Sequence, residues 1–316
     1  MASHHSPLKI GTRGSKLARA QAKAVREALM AAHEEQALGG APEIVALTTS
    51  GDAIKEGPVR DFGGKGLFTK EIDEALLAGA IDMAVHSAKD MPTKMSAGLV
   101  LAACLPRGDV RDVFIGREAE SFPALPAGAV IGTSALRRRA QLLMRRADIE
   151  VRDIRGNVDT RLKKLGEGGC DALVLAAAGL ARLGLTPART RVFAIEEMLP
   201  AVGQGAVAIL ARADDERLRA LLAAIDHADT RRAVSAERAF LAVLDGSCRS
   251  PIAGHARFQG GRVRFDGLAA SEDGKVHCRA TREGAAEEAE TLAREAAAEI
   301  RARASPAFRA RYLSGG

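Results

Sequence analysis

Aromatic side chains are scarce in this chain: its 316 residues include nine Phe, one Tyr and no Trp. Proteins that hold single-stranded nucleic acid stack its bases on aromatic rings, so the shortage argues against that class of partner. Long apolar runs are missing as well. The richest stretch, Ala172–Ala181, has ten residues, about half of what a membrane-spanning helix needs, and no membrane role is expected. The opening Met1–Pro7 has no basic-then-apolar signal pattern, which makes the cytoplasm the expected compartment. The four cysteines, Cys104, Cys170, Cys248 and Cys278, form no CxxC pair and no Cys/His cluster. Zinc and dithiol-redox sites therefore have no support, no metal is expected, and the scattered thiols suit a reducing compartment. Neither GxSxG nor HExxH occurs, which removes two hydrolase signatures.

What is present is a folding chain. Hydrophobic residues make up 47% and charged residues 27%, which excludes a disordered chain and leaves two or three domains as the length-based expectation. Lys and Arg exceed Asp and Glu by 46 − 40 = 6. Ile131–Leu165 alone holds ten basic and four acidic residues, a surplus of 10 − 4 = 6, so the rest of the chain is balanced. A basic surplus confined to one segment points to an anionic partner. The competing reading is a solvated basic helix face.

Over the first two-thirds, short β-type runs alternate with helical ones. Strands are expected at Leu8–Gly11, Glu43–Thr48, Ile81–His86, Leu99–Cys104, Val113–Gly116, Ala129–Gly132, Glu150–Ile154, Ala172–Ala176 and Val207–Leu210. Helices are expected at Lys16–His33, capped by Ser15, and at Thr69–Ala78, Ala135–Arg146, Val158–Leu165 and Asp214–Ile225. That alternation is the mark of α/β sheets covered by helices. After Asp226 the pattern changes to a long helix (Thr230–Leu244), three strands (His255–Gln259, Val263–Ala269, Lys275–Ala280) and a closing helix (Ala285–Arg303). This reads as a small separate α+β domain.

Ligands of open α/β sheets sit where the loops leave the carboxyl ends of the strands. Three such turns carry arginine beside hydroxyl or glycine residues: Thr12-Arg13-Gly14-Ser15, Thr133-Ser134-Ala135-Leu136-Arg137-Arg138, and Arg155-Gly156-Asn157 with Arg161 one turn further. Helix N-termini offer free N–H groups to anions, and arginine adds bidentate recognition of carboxylate or phosphate. Three in one protein imply a ligand with several anionic groups. A fourth turn, His86-Ser87-Ala88-Lys89-Asp90, brings an acid, a base and a hydroxyl to the end of an apolar strand. Asp90 there serves either to stabilise a developing cation or relay a proton, or as half of an Asp–Lys surface pair. His86 reads as a buried, hydrogen-bonded core residue. Phe62–Gly66 fails as a phosphate loop, because Val59 stands where the first glycine belongs and Gly66 where Ser or Thr is required. Residues 49–66 read instead as a mobile loop. Gly203-Gln204-Gly205 lacks the third glycine of a dinucleotide fingerprint. Cys248, in a loop beside Arg249, has the setting of a reactive thiol, whereas the other three cysteines read as small core hydrophobes.

Seven ordered stretches together resemble the porphobilinogen deaminase (hydroxymethylbilane synthase) family. They are Thr12–Ser15, Gly63–Phe68, Val85–Asp90, Gly132–Arg138, Arg155–Arg161, Leu199–Ala206 and the Cys248 loop through Ile252. The resemblance implies two periplasmic-binding-protein-like α/β domains flanking a cleft, about 1–105 with 206–225 and 106–205, plus a small C-terminal α+β domain, 226–316. It implies a cytoplasmic, monomeric transferase of haem and tetrapyrrole biosynthesis that joins four porphobilinogen molecules head to tail with release of ammonia. The product, hydroxymethylbilane, grows on a dipyrromethane cofactor bound to Cys248 by a thioether. Asp90 falls on the catalytic aspartate. Arg137, Arg138, Ser134 and Lys89 fall on cofactor-binding positions, and Arg13, Ser15, Ser87, Thr133, Arg155, Arg161 and Gln204 on substrate-binding ones. Each pyrrole carries an acetate and a propionate, which accounts for many arginines and few aromatics. Ala135, Ser247 and Asp61 depart from the commonest family pattern. The alternative is a non-catalytic polycarboxylate binder of the same two-domain fold, which would need neither Asp90 nor Cys248.

Overall fold

The computed structural model describes residues 6–53, 69–244 and 250–313. Along the chain run β1 (Lys9–Arg13), α1 (Lys16–Ala32), β2 (Glu43–Leu47), α2 (Ser50–Ala53), α3 (Lys70–Leu77), β3 (Met83–Ser87), β4 (Leu99–Cys104), β5 (Asp112–Gly116) and β6 (Val130–Gly132). There follow α4 (Leu136–Arg145), β7 (Glu150–Arg152), α5 (Val158–Gly166), β8 (Ala172–Ala176), α6 (Ala177–Arg182), β9 (Thr190–Val192), β10 (Val207–Arg212) and α7 (Glu216–Ala223). The last stretch is α8 (Ala228–Val243), β11 (Ile252–Gln259), β12 (Arg262–Ala270), β13 (His277–Ala285), α9 (Ala289–Arg303) and α10 (Pro306–Phe308).

By its internal contacts the chain divides into two compact units, whose described residues are 6–53, 69–107 and 206–231 in the first and 108–205, 232–244 and 250–313 in the second. The first unit is built on a five-stranded sheet of order β2-β1-β3-β10-β4. β1 runs parallel to β2 and β3, and β10 runs antiparallel to β3 and β4. The second unit repeats that plan as β7-β6-β8-β5-β9, with β6 parallel to β7 and β8, and β5 antiparallel to β8 and β9. It also contains the antiparallel sheet β11-β12-β13. Two α/β sheets of one topology and a small C-terminal α+β element are the expected fold class.

Local sequence explains the elements. Ser15 caps α1 by accepting from Ala18 N at 3.2 Å, and Ala18, Ala22, Val25 and Leu29, spaced three or four apart, are its buried stripe. Ala22, Val25 and Leu29 pack with Ile10, Met83, Val85, Val207 and Ile209 to make the first unit's core. In the second unit, Phe114, Ile131 and Val174 face one core while Val113, Ile115 and Leu173 face another, so β5, β6 and β8 are apolar because their sheet is covered on both sides. In the C-terminal sheet the starts of β12 and β13 alternate buried with exposed residues, and Ala289, Ala293, Ala296, Ala297 and Ile300 of α9 close its inner face over Phe240 and Phe265, whose rings lie 5.0 Å apart. Cys104, Cys170 and Cys278 are buried and form no disulfide among the described residues, as small hydrophobes.

Several boundaries differ from the sequence reading, each for a physical reason. The Ala172–Ala181 run is a strand followed at once by α6, and a continuous apolar run carries no mark of that change. β9 is an exposed three-residue strand that, among the described residues, pairs only with β5, without alternation to reveal it. β13 continues to Ala285, paired with Arg262, because the polar Arg282 and Glu283 lie on a solvated strand rather than a helix start. Ser50–Ala53 is a helical turn within the stretch read as a loop; residues 54–66 of that stretch lie outside the described residues, as do Asp61 and Ser247. The tail after α9 folds back, burying Phe308 and Leu313 in the α9 core.

Candidate functional site

In the first unit, parallel pairing of β1 with β3, Ile10 opposite Met83, brings the carboxyl ends of both strands to one edge of the sheet. Arg13 ends β1 and Ser15 starts α1, while Ser87 ends β3 and a 3-10 turn, Ala88–Asp90, carries Lys89 and Asp90. Thr12 Oγ1 donates to Val85 O at 3.2 Å and ties the two strand ends together. Gln21 Nε2 donates to Ser87 Oγ at 2.8 Å, and Ala88 N donates to Ala206 O at 3.0 Å, which fixes the turn against β10. The result is a small cavity whose lining includes Arg13, Ser15, Gln21, His86, Ser87 and Asp90. Four of the residues singled out in the sequence, Arg13, Ser15, Ser87 and Asp90, thus line one small space with a cation, hydroxyls and a carboxylate.

His86 lines the same cavity and is buried, as expected, but its Nε2 makes no hydrogen bond among the described residues. Asp73 Oδ1 lies 3.9 Å from that Nε2. Burial, with the Arg13 charge adding to it, pushes the His86 pKa down to about 4, so the imidazole is neutral at physiological pH. Burial raises the Asp73 carboxyl above its usual range despite the hydrogen bond from Ser96 Oγ at 2.9 Å.

In the second unit the turn after β6 carries Thr133 and Ser134. Thr133 N donates to Arg152 O at 2.9 Å and Ser134 Oγ to Ile154 O at 2.7 Å, so this turn is fastened to the β7–α5 turn that holds Arg155. There Gly156, at φ +109°, allows the sharp reversal into α5, and Arg161 Nε donates back to Gly156 O at 2.9 Å. Three predicted positions, Ser134, Arg155 and Arg161, are therefore set by two neighbouring strand ends. The remaining basic residues of this segment divide differently: Arg152 pairs with Glu150 at 3.0 Å on the solvated face, whereas Arg146 is half-buried, pairs with Asp148 and donates Nη1 to Leu125 O at 2.8 Å.

Arg137 and Arg138 open α4, yet both are only 5% exposed. They converge on Asp112, the fully buried first residue of β5. Arg138 Nε and Nη2 donate to Asp112 Oδ1 at 3.0 and 2.8 Å, and Arg137 Nη1 lies 2.7 Å from Oδ2. Gln204 Nε2 donates to the same Oδ1 at 3.0 Å and to Val110 O at 2.7 Å. Burial alone would raise the Asp112 pKa; the two guanidiniums outweigh it and hold it down at about 2. Burial lowers the Arg137 pKa against the pull of Asp112. Asp112 escaped the sequence reading, which began the strand at Val113; an acid at the head of an otherwise apolar strand was the available signal. Glu237 escaped it too. Fully buried on α8, it accepts from Gly203 N at 2.6 Å and Ala256 N at 2.9 Å, with His255 Nδ1 at 3.2 Å, and so holds the turn that bears Gln204. Cys248 lies outside the described residues.

Comparison with known proteins gives a single answer. Residues 8–220 match the family model described as porphobilinogen deaminase, dipyromethane cofactor binding domain, and residues 231–302 match the porphobilinogen deaminase C-terminal domain. A porphobilinogen deaminase of Nitrobacter hamburgensis is 55% identical over 302 residues, 95% of this chain and 94% of that protein. The chloroplastic porphobilinogen deaminase of Pisum sativum is 51% identical over 95% of this chain and 83% of its own length, and the porphobilinogen deaminase of Paracoccus denitrificans is 50% identical over 98% of each. Among the described residues no helix is long and apolar enough to cross a membrane.

Proposed function

The chain belongs to the porphobilinogen deaminase family, and from that premise we propose which of its residues carry the reaction. The enzyme is a transferase of tetrapyrrole biosynthesis. It joins four porphobilinogen molecules head to tail, releases ammonia at each addition, and builds linear hydroxymethylbilane on a covalently bound dipyrromethane cofactor.

The donor set suits that cofactor, whose side chains are carboxylates. Arg137 engages its described partners through Nη1 alone, and α4 begins without a side-chain cap, so a guanidinium edge and backbone N–H groups remain for an anion. Arg137, Ser134 and Lys89 would hold the cofactor directly and Arg138 from behind, as part of the wall that carries Arg137, with Cys248 as its thioether anchor. When bound, the cofactor supplies the pyrrole terminus to which the first substrate is joined. Arg13, Ser15, Ser87, Thr133, Arg155, Arg161 and Gln204 would take the acetate and propionate groups of incoming porphobilinogen, so that binding energy from remote carboxylates orients the reacting carbon.

Asp90 has the central chemical role. Loss of ammonia from the substrate's aminomethyl group leaves positive charge on a pyrrole, and a carboxylate aimed at that charge lowers the barrier to its formation. The observation that carries this reading is the shared cavity of Asp90, Arg13 and Ser87, a carboxylate beside carboxylate-binding groups, within a chain of shown family. His86, neutral beside them, adds no competing charge. The same account makes the protein a cytoplasmic monomer of three domains, with the small C-terminal one carrying Cys248.

The test is Asp90→Ala. Its thermal unfolding should stay within a few degrees of wild type, while porphobilinogen turnover, followed as ammonia released, falls by about 10²-fold or more, the usual cost of a lost electrostatic group. Near-normal turnover would remove Asp90 from the mechanism and reopen the non-catalytic polycarboxylate binder.

A further inference from the structure

Two arginines adjacent in sequence share one buried carboxylate, and they do so unequally. Arg138 gives Nε and Nη2 to Asp112 Oδ1 and Nη1 to Val174 O at 2.9 Å, so its side-on fork is spent on the protein. Arg137 donates only Nη1, to Leu199 O at 2.7 Å, and the same nitrogen forms an ion pair with Asp112 Oδ2 at 2.7 Å. Its other edge, Nε with Nη2, makes no hydrogen bond among the described residues. That edge is the pair of parallel N–H groups that matches a carboxylate bidentately. The charges are unequal as well: two cations, each 5% exposed, meet one anion at 0% exposure. A buried surplus of one positive charge is costly unless a further anion completes it.

We propose that Asp112 is a positioning residue that divides the two arginines into a brace, Arg138, and a ligand contact, Arg137, turning the free fork of Arg137 toward a carboxylate of the bound dipyrromethane. This rests on the function proposed above and goes beyond it, because it gives neighbouring arginines different tasks and places an acid outside the reacting centre in control of both. Asp112 also holds Gln204 through Oδ1, so the 199–205 turn is aligned by the same carboxylate. The arrangement explains why an acid is tolerated among residues that must attract anions. It cancels one of two charges, fixes both guanidinium planes, and leaves one cation for the ligand.

Intact-mass measurement of the purified full chain, before and after incubation with porphobilinogen, reads the proposal independently of turnover. Asp112→Asn keeps the shape and removes the charge; the cofactor-bearing fraction should fall at least tenfold in protein that still shows a cooperative melt. Full cofactor loading in folded Asp112→Asn, with unchanged KM, would make Asp112 merely structural and overturn the proposal. Should Asp112→Asn not fold, the lysine pair decides. A lysine can still pair with Asp112 as a brace but cannot present a fork, so Arg138→Lys should keep several-fold more cofactor than Arg137→Lys. Equal or reversed loading would refute the division of tasks. Wild-type protein that never gains the two-pyrrole mass would instead overturn the functional reading, and the proposal with it.

Discussion

Gly205→Ala tests how the turn bearing Gln204 is held. Gly205 sits at φ +83°, a conformation that costs an L-residue roughly 1–2 kcal/mol. A Cβ there would lie 2.5 Å from Gly108 O and 3.2 Å from Gly108 C, both backbone atoms that cannot rotate aside. Relief requires the 203–205 turn to withdraw from the Gly108 segment. That strains or breaks the bonds Gly205 O accepts from Gly108 N at 3.1 Å and Arg182 Nη2 at 2.6 Å. Overpacking of this kind costs about 1–3 kcal/mol and each lost hydrogen bond about 1 kcal/mol, so the expected destabilisation is about 3–5 kcal/mol after partial relaxation. Because Gln204 Nε2 reaches Asp112 from the same turn, cofactor loading should decline as well. Urea unfolding followed by far-UV circular dichroism, with intact mass on the same samples, measures both. A loss below about 1 kcal/mol, the size of an ordinary surface change, would refute the close approach of the two backbones.

Two other perturbations have defined outcomes. His86, with its pKa pushed from 6.5 down to about 4, takes up a proton more readily when unfolded, so its contribution to stability is intact above pH 6.5 and is lost as pH falls toward 4. The full loss approaches about 3 kcal/mol from a shift of this size. His86→Gln should flatten the stability–pH curve across that window, and an unchanged curve would mean that the ring is not buried neutral. Arg155→Ala, on the half-buried turn before α5, should raise the KM for porphobilinogen several-fold with the melting temperature held within a few degrees; a collapse of stability would assign Arg155 to the structure.

The sequence made the scaffold legible where a single physical signal was enough. Ser15 before an apolar stripe of period 3.6 marked the start of α1, and the apolar stretches Leu99–Cys104 and Ala172–Ala176 match their strands residue for residue. Legibility failed where partners from distant segments decide. Arg137 and Arg138 look in sequence like exposed cations at a helix start, and only the pairing of β5 with β8 brings Asp112 beneath them. Glu237 reads as one polar residue on a long helix, because its partners, Gly203 and Ala256, lie 34 and 19 residues away. The charge surplus at Ile131–Leu165 was visible, but its partition into a buried pair, turn arginines and surface ion pairs depends on tertiary placement.

The central claim is that this chain primes tetrapyrrole assembly on a cofactor anchored at Cys248. Its most direct test is the intact mass of the purified protein beside that of Cys248→Ser, each before and after exposure to porphobilinogen. The account predicts wild-type protein heavier by two linked pyrrole units and a Cys248→Ser chain at its unmodified mass under both conditions. An unmodified wild type that stays unmodified, or a mass excess that survives in Cys248→Ser, would contradict it.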